Sequence, residues 1–236
     1  MLNSPRVMDD SAAETDDFAR EGDPPQPTPA QRAQTMCELG RFAAAAEAAG
    51  RAIADEPRNA HAWCLMAEAQ LGQDRPPAAL VAAQAACRLE PDAEASHRMV
   101  SLALGALGRD EEAAAAAGQA TRHAPQSWRA HARLAQCLAA LCDRLPEARQ
   151  AAQRALELEP GQAGPHLAIG RVALAAGRET DATSAFCAAL GVDPLCVEAH
   201  IELSTLLSRE RRSPRPWARV GLFWPRRRGR ADGAWT

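Results

Sequence analysis

The chain has 236 residues, enough for one large domain or two small ones. Alanine makes up about a quarter of it, aromatics are only 4% and tyrosine is absent, so the β-branched and aromatic stock of an all-β sandwich or barrel is missing. The net charge of −3 conceals an acidic head (two Arg against seven acids in residues 1–25), a mildly acidic middle and a basic tail (nine Arg against two acids in residues 209–236). All 27 cations are arginine, which together with the alanine excess reflects GC-rich coding before it signals binding.

Residues 1–27 are acidic, close on Pro24, Pro25 and Pro27, and are expected to be disordered. They hold no apolar core of the kind a signal peptide needs. No run in the chain approaches the roughly 20 apolar residues that span a bilayer. At Thr28-Pro29-Ala30-Gln31 a helix N-cap, a proline at the first helical position and a glutamine three residues past the cap open the structured region.

From there the chain repeats itself. Prolines stand at 57, 91, 125, 160 and 194, spaced 34, 34, 35 and 34 apart. Ala45, Ala79, Ala113, Ala148 and Ala182 keep the same intervals, as do Ala52, Ala86, Ala120, Ala155 and Ala189. A fourth series, Ala33, Ala67, Ser101, Ala135, Gly170 and Ser204, is small throughout. Small residues recurring once per helix mark where two backbones approach closely, and each proline ends one helix and begins the turn to the next. Each unit therefore holds two antiparallel helices; in the third they are predicted over 94–107 and 110–123, with a turn at Gly108-Arg109. Met66, Val100, Leu134, Ile169 and Leu203 fill one inward place of the first helix, and Leu104, Leu138 and Leu207 the place one turn later. Pro76 and Pro146 each open a second helix, and the extra residue of the fourth unit falls near 141–146. The last unit has only its first helix, 197–212, read as a solubilising cap. Residues 213–236, rich in Arg, Pro and Gly, are expected to be largely unstructured.

This pattern resembles the tetratricopeptide repeat (TPR), a 34-residue unit. The match is closest from Ala60-His61-Ala62-Trp63 to Arg88-Leu89-Glu90-Pro91 and again over 155–160, and it covers about residues 28–208, although tyrosine never occupies the aromatic places. The resemblance implies an all-α, right-handed solenoid of about five helix pairs plus a C-terminal capping helix. It further implies a non-enzymatic adaptor, scaffold or co-chaperone-like module binding a partner peptide or helix in a concave groove lined by the first helices. The family's groove places carry Arg98, Arg129, Arg133 and Arg171 here, a basic strip suited to an acidic or carboxyl-terminal peptide because arginine pairs bidentately with carboxylates. Ordinary solvated helix-surface arginines are the competing reading. The carboxylate clamp of chaperone-binding relatives is not expected, because Cys64, Glu68 and Met99 stand at most of its places.

Other chemistry is sparse. His97, His131, His166 and His200 share one register place with Trp63; equivalent helices lie roughly 8–10 Å or more apart, too far for neighbouring rungs to share a metal ion, so a half-buried packing place is expected. The seven cysteines contain no CxxC pair and are read as small buried hydrophobes in a reducing compartment, with the cytoplasm as the default. No nucleophile elbow, phosphate loop or metal motif is present, so no catalytic, cofactor or metal residues are assigned. The tail interleaves Arg with Trp217, Val220, Leu222, Phe223 and Trp224. A solubilising tail and a membrane-surface anchor for a peripheral assembly factor both stay open, while nucleic acid is not expected. The acidic head folding onto the basic strip is a further option.

Overall fold

The computed structural model describes residues 27–212; the expectations for residues 1–26 and 213–236 lie outside the described residues. Among the described residues there are eleven helices and no strand: α1 (Pro29–Glu38), α2 (Phe42–Asp55), α3 (Ala60–Gly72), α4 (Pro76–Leu89), α5 (Glu94–Ala106), α6 (Asp110–His123), α7 (Trp128–Ala140), α8 (Leu145–Leu158), α9 (Ala163–Ala175), α10 (Glu179–Val192) and α11 (Val197–Arg212). Consecutive helices pack on each other, and the first helices α1, α3, α5, α7 and α9 also pack in series. This is an all-α solenoid of five pairs and a lone eleventh helix.

Helix ends follow local chemistry. Thr28 accepts from the Gln31 amide while the Gln31 side chain accepts from the Thr28 amide, with Pro29 at the helix start. Asn59 and Ser127 cap α3 and α7 in the same way, accepting from Ala62 and Ala130. Each second helix ends at an extended residue just before its proline, as at Glu56, Glu90, Ala124, Glu159 and Asp193, because proline disfavours a helical residue ahead of it. Within each pair the turn passes through one left-handed residue: Gly40, Asp74, Gly108, Cys142 or Gly177. In four of these turns the next residue, always arginine, donates its amide to the carbonyl five residues back, closing the helix end (Arg41, Arg75, Arg109 and Arg178, 2.8–3.0 Å). The fourth turn, residues 141–144, is one residue longer than the others and absorbs the insertion.

The phased alanines form the core. All of Ala45, Ala79, Ala113, Ala148 and Ala182 are buried, as are Ala52, Ala86, Ala120, Ala155 and Ala189. One place departs from alanine. Ala49, Ala83, Ala117 and Ala152 are equivalent to Phe186, which is fully buried, and a Cβ at Gly170 would run into the Phe186 ring. The missing Cβ on α9 supplies part of the room that the larger ring on α10 takes, which keeps the contact close-packed.

The aligned histidines are packing elements with a defined hydrogen bond. The Nε2 of His97, His131, His166 and His200 meets the carbonyl oxygen of Pro91, Pro125, Pro160 and Pro194 at 2.6–3.1 Å, so this nitrogen carries the proton. Trp63 Nε1 donates to the Pro57 carbonyl at 3.1 Å in the same way. Imidazole replaces indole because both offer a flat ring with an N–H at its rim. The cysteines divide. Cys37, Cys64, Cys137 and Cys196 are buried as expected and Cys87 is half-buried, but Cys142 and Cys187 are exposed, the first because it occupies the left-handed turn place.

Candidate functional site

The first helices α5, α7, α9 and α11 line a shallow concavity of about 340 Å³, and no second helix contributes to it. Arg98, Arg129, Arg133 and Arg171 all reach it, so four arginines spread over 74 positions of sequence come together. Each sits on the groove face because the repeat register places it there: Arg98 stands one unit before Ala132, and Arg171 one unit after Gln136.

The four are not equivalent. Arg98 is held by Glu94 one turn earlier (3.0 Å), and Arg171 by Glu202 from α11 (2.9 Å). These two charges are largely satisfied within the protein. Arg129 is exposed and lies over the Trp128 ring, 4.7 Å from its centroid, a cation–π contact that leaves the guanidinium edge free to bond. Arg133 occupies a register place that is buried as Leu65, Met99 and Ala168 in other units. Its Nε donates to Ser101 Oγ (2.9 Å), one terminal nitrogen donates to the Ser101 carbonyl (2.7 Å) and the other to Gln136 (3.4 Å). Among the described residues no carboxylate contacts Arg129 or Arg133. Burial pulls the Arg133 guanidinium below the ordinary arginine range, the direction expected for a desolvated cation without an ion-pair partner.

Two glycines make the space. A Cβ on Gly105 would strike the Arg133 guanidinium, and one on Gly164 would strike the Trp128 ring. Trp128 and Gly164 line the same concavity, although the sequence alone does not select them. Their signal is a large residue aligned with Ala60, Glu94 and Ala163, next to a glycine in the following unit. Arg133 also lines an adjoining cavity of about 420 Å³ with Gly105, Asp110 and Cys137. Cys137 Sγ lies 3.3 Å from Ser101 Oγ, and burial pushes its thiol up, so it stays neutral beside the cation. A separate cleft of about 460 Å³ between α7 and α8 lies off this face and presents Glu147, Gln150, Gln153, Arg154 and Glu157, the mixed polar side chains of a solvated helix surface.

Among the described residues no group of three or more His, Cys, Asp or Glu is arranged to hold a metal ion, and no helix is long and apolar enough to cross a membrane. What the arginine concavity offers is two cations without a carboxylate in contact, one rigid and one stacked, above an apolar floor of Leu102, Ala132 and Leu167, with the Glu198 carboxylate at its α11 edge.

The tetratricopeptide repeat family profile matches residues 32–94 and 101–163, more than half of the chain. The chain belongs to the tetratricopeptide repeat family. Members of this family are in general non-catalytic protein-interaction modules that bind protein or peptide partners. Among solved structures the chain is similar to TTC0263, a thermophilic TPR protein of Thermus thermophilus, at 22% identity and a TM-score of 0.69 over 76% of this chain and 97% of that one. It is also similar to MamA, at 16% identity and a TM-score of 0.52 over 69% of this chain and 94% of that one. At these identities the likeness is one of fold. No curated protein matches the sequence.

Proposed function

We propose that this TPR protein is a non-enzymatic adaptor whose concave face captures an acidic or carboxyl-terminal segment of a partner protein, with Arg129 and Arg133 supplying the recognition charge. One observation carries the reading: of four arginines converging on one concavity, these two enter it with no carboxylate in contact. Burying a cation without a counter-charge, as at Arg133, is costly, so the site gains when a ligand brings the carboxylate, and the exposed Arg129 adds a second cation within reach. Arg133, fixed by Ser101, is already oriented; Arg129 on Trp128 adjusts to the incoming chain. The apolar floor favours a ligand with an aliphatic or aromatic side chain beside its acid. A rigid solenoid holds these groups in place before binding and so lowers the entropy lost when the complex forms. A cytoplasmic setting suits a chain whose seven cysteines are all free.

The test uses fluorescently labelled peptides ending in Leu-Glu-Glu with a free or an amidated C-terminus, titrated against the full chain. We expect saturable binding that weakens with salt and with amidation, and a loss of about tenfold for Arg129→Ala, the equivalent of about 1.4 kcal/mol. Arg171→Ala, which removes a cation already paired, should change binding far less. Equal affinity of Arg129→Ala and the parent chain for every peptide would remove the proposal.

A further inference from the structure

α11 is a first helix without a second. In every other unit the second helix covers one face of the first, and on α11 that face is open. Leu207 is 54% exposed, whereas its register equivalents Leu104, Leu138 and Ala173 are 6%, 3% and 2% exposed. Ser204 is exposed where Ala33, Ala67, Ser101, Ala135 and Gly170 are all buried, and His200 is exposed where His97, His131 and His166 are half-buried. α11 caps the stack while keeping apolar side chains uncovered: Val197, Ile201 and Leu207 are all more than half exposed.

The chemistry of the adjoining sequence complements this end. Residues 179–208 contain five acids (Glu179, Asp181, Asp193, Glu198, Glu202) and neither arginine nor lysine. The chain that follows, residues 209–236, carries nine arginines against two acids and holds Trp217, Val220, Leu222, Phe223 and Trp224 between them. Asp181 and Glu202 are engaged with Arg178 and Arg171 and Glu198 lines the arginine concavity, while Glu179 and Asp193 are exposed in the same unit. Apolar surface facing apolar side chains, and an all-acidic stretch followed directly by a basic one, point to an occupant supplied by the chain itself.

We propose that residues 217–224 fold back onto the open face of α11, seating Trp217, Phe223 and Trp224 over Ser204 and Leu207, with the flanking arginines towards Glu179 and Asp193. The reach is sufficient. Leu207 lies five residues before Arg212, about 7.5 Å along the helix axis, and the five residues from 212 to 217 span up to about 17 Å when extended. Proline disfavours continuation of a helix, so Pro214 and Pro216 are places where the chain can turn. The segment has the wrong register for an ordinary second helix, because proline and phenylalanine fall where Ala182 and Ala189 would recur. It acts as a clasp that takes the place of the missing second helix of the sixth pair. This proposal does not depend on the peptide reading of the groove.

Hydrogen–deuterium exchange of the full 236-residue chain tests it, with α11 and the tail as reporters and α3–α8 as the internal standard. The triple variant Trp217→Ala, Phe223→Ala, Trp224→Ala should speed exchange of the α11 amides by about tenfold and leave α3–α8 unchanged. Leu207→Asp, at an exposed place that the solenoid does not need, should speed exchange in residues 217–224. Unaltered α11 protection in the triple variant overturns the proposal. So does α11 protection that grows with protein concentration alongside a dimer in light scattering, which would assign the face to a second copy. Protection of the tail seen only with vesicles containing anionic lipid would assign it to a membrane surface and equally overturn it.

Discussion

The first four units and the fifth solve the same packing problem with different residues. In units one to four an alanine on the second helix stands where α10 carries Phe186, and in the fifth a glycine on the first helix makes room for that ring. The groove uses the same device for another end: Gly164 admits Trp128 and Gly105 admits Arg133, but there the large side chain is aromatic or charged and forms the wall of a concavity. What recurs is a missing Cβ on one helix opposite a large side chain on its neighbour, and the chemistry of that side chain is free to change. In the core the large side chain fills a buried contact, and on the inner face it lines the concavity.

The sharpest way to break the comparison is Phe186→Ala, which should cost about 3–5 kcal/mol in chemical denaturation because Gly170 cannot refill the space. Gly170→Ala should cost about 1–3 kcal/mol through overpacking, offset by about 1 kcal/mol of regained helix propensity. The double variant restores the arrangement of the other units and should cost less than the sum of the two singles by about 1 kcal/mol or more. Strict additivity would mean that the two places do not compensate. A smaller effect is expected at the ring-to-proline bonds: His131→Phe should lose about 1 kcal/mol while His131→Trp, which reproduces Trp63, should retain the bond. If His131→Phe is as stable as the parent, the repeated ring contributes packing alone.

The last comparison is between buried and exposed thiols. Burial pushes Cys37 and Cys87 up from the usual 9.0 to about 11, with Glu68 and Glu38 adding to the effect at Cys37 and the Cys64 thiol at Cys87. Raised folded values mean that the unfolded chain loses its thiol protons first, so their contribution is intact below pH 9 and is lost as pH climbs from about 9 through about 11. The sequence contains no lysine and no tyrosine, which leaves this window to the cysteines. Urea midpoints should fall across it, and Cys37→Ala with Cys87→Ala should flatten the fall. A midpoint independent of pH over that range would contradict the assignment.

Much of this architecture is legible in the chain itself. Helix starts at Thr28, helix stops at the five prolines, the long turn at 141–144 and the packing role of the histidines all follow from local rules that act within six residues. The arginine face is legible too, because register alone carries Arg98, Arg129, Arg133 and Arg171 to one side. Hidden from a linear reading is which cations are already neutralised. Arg98 meets an acid four residues away, a spacing visible in sequence, but Glu202 reaches Arg171 from the next unit, 31 residues on. The glycine pairings are hidden for the same reason: Gly105 and Arg133 are 28 residues apart and meet only when helices stack. An arginine follows every left-handed turn residue, one place later in the fourth unit than elsewhere, and Arg109, Arg144 and Arg178 each pair there with the acid three residues on. That series escapes a search for small and apolar repeats because it lies in the turns, outside the packed faces.

The four-residue turn at 141–144 has a practical corollary. One additional residue there leaves the helices on both sides in step, with Cys142 exposed and the following histidine still bonded to its own proline. Loop entropy rises slowly with length, so the chain should accept longer grafts at this point as readily as it accepted one residue. It is the natural port for an epitope, a fluorophore or a split-reporter fragment on an otherwise unbroken ribbon.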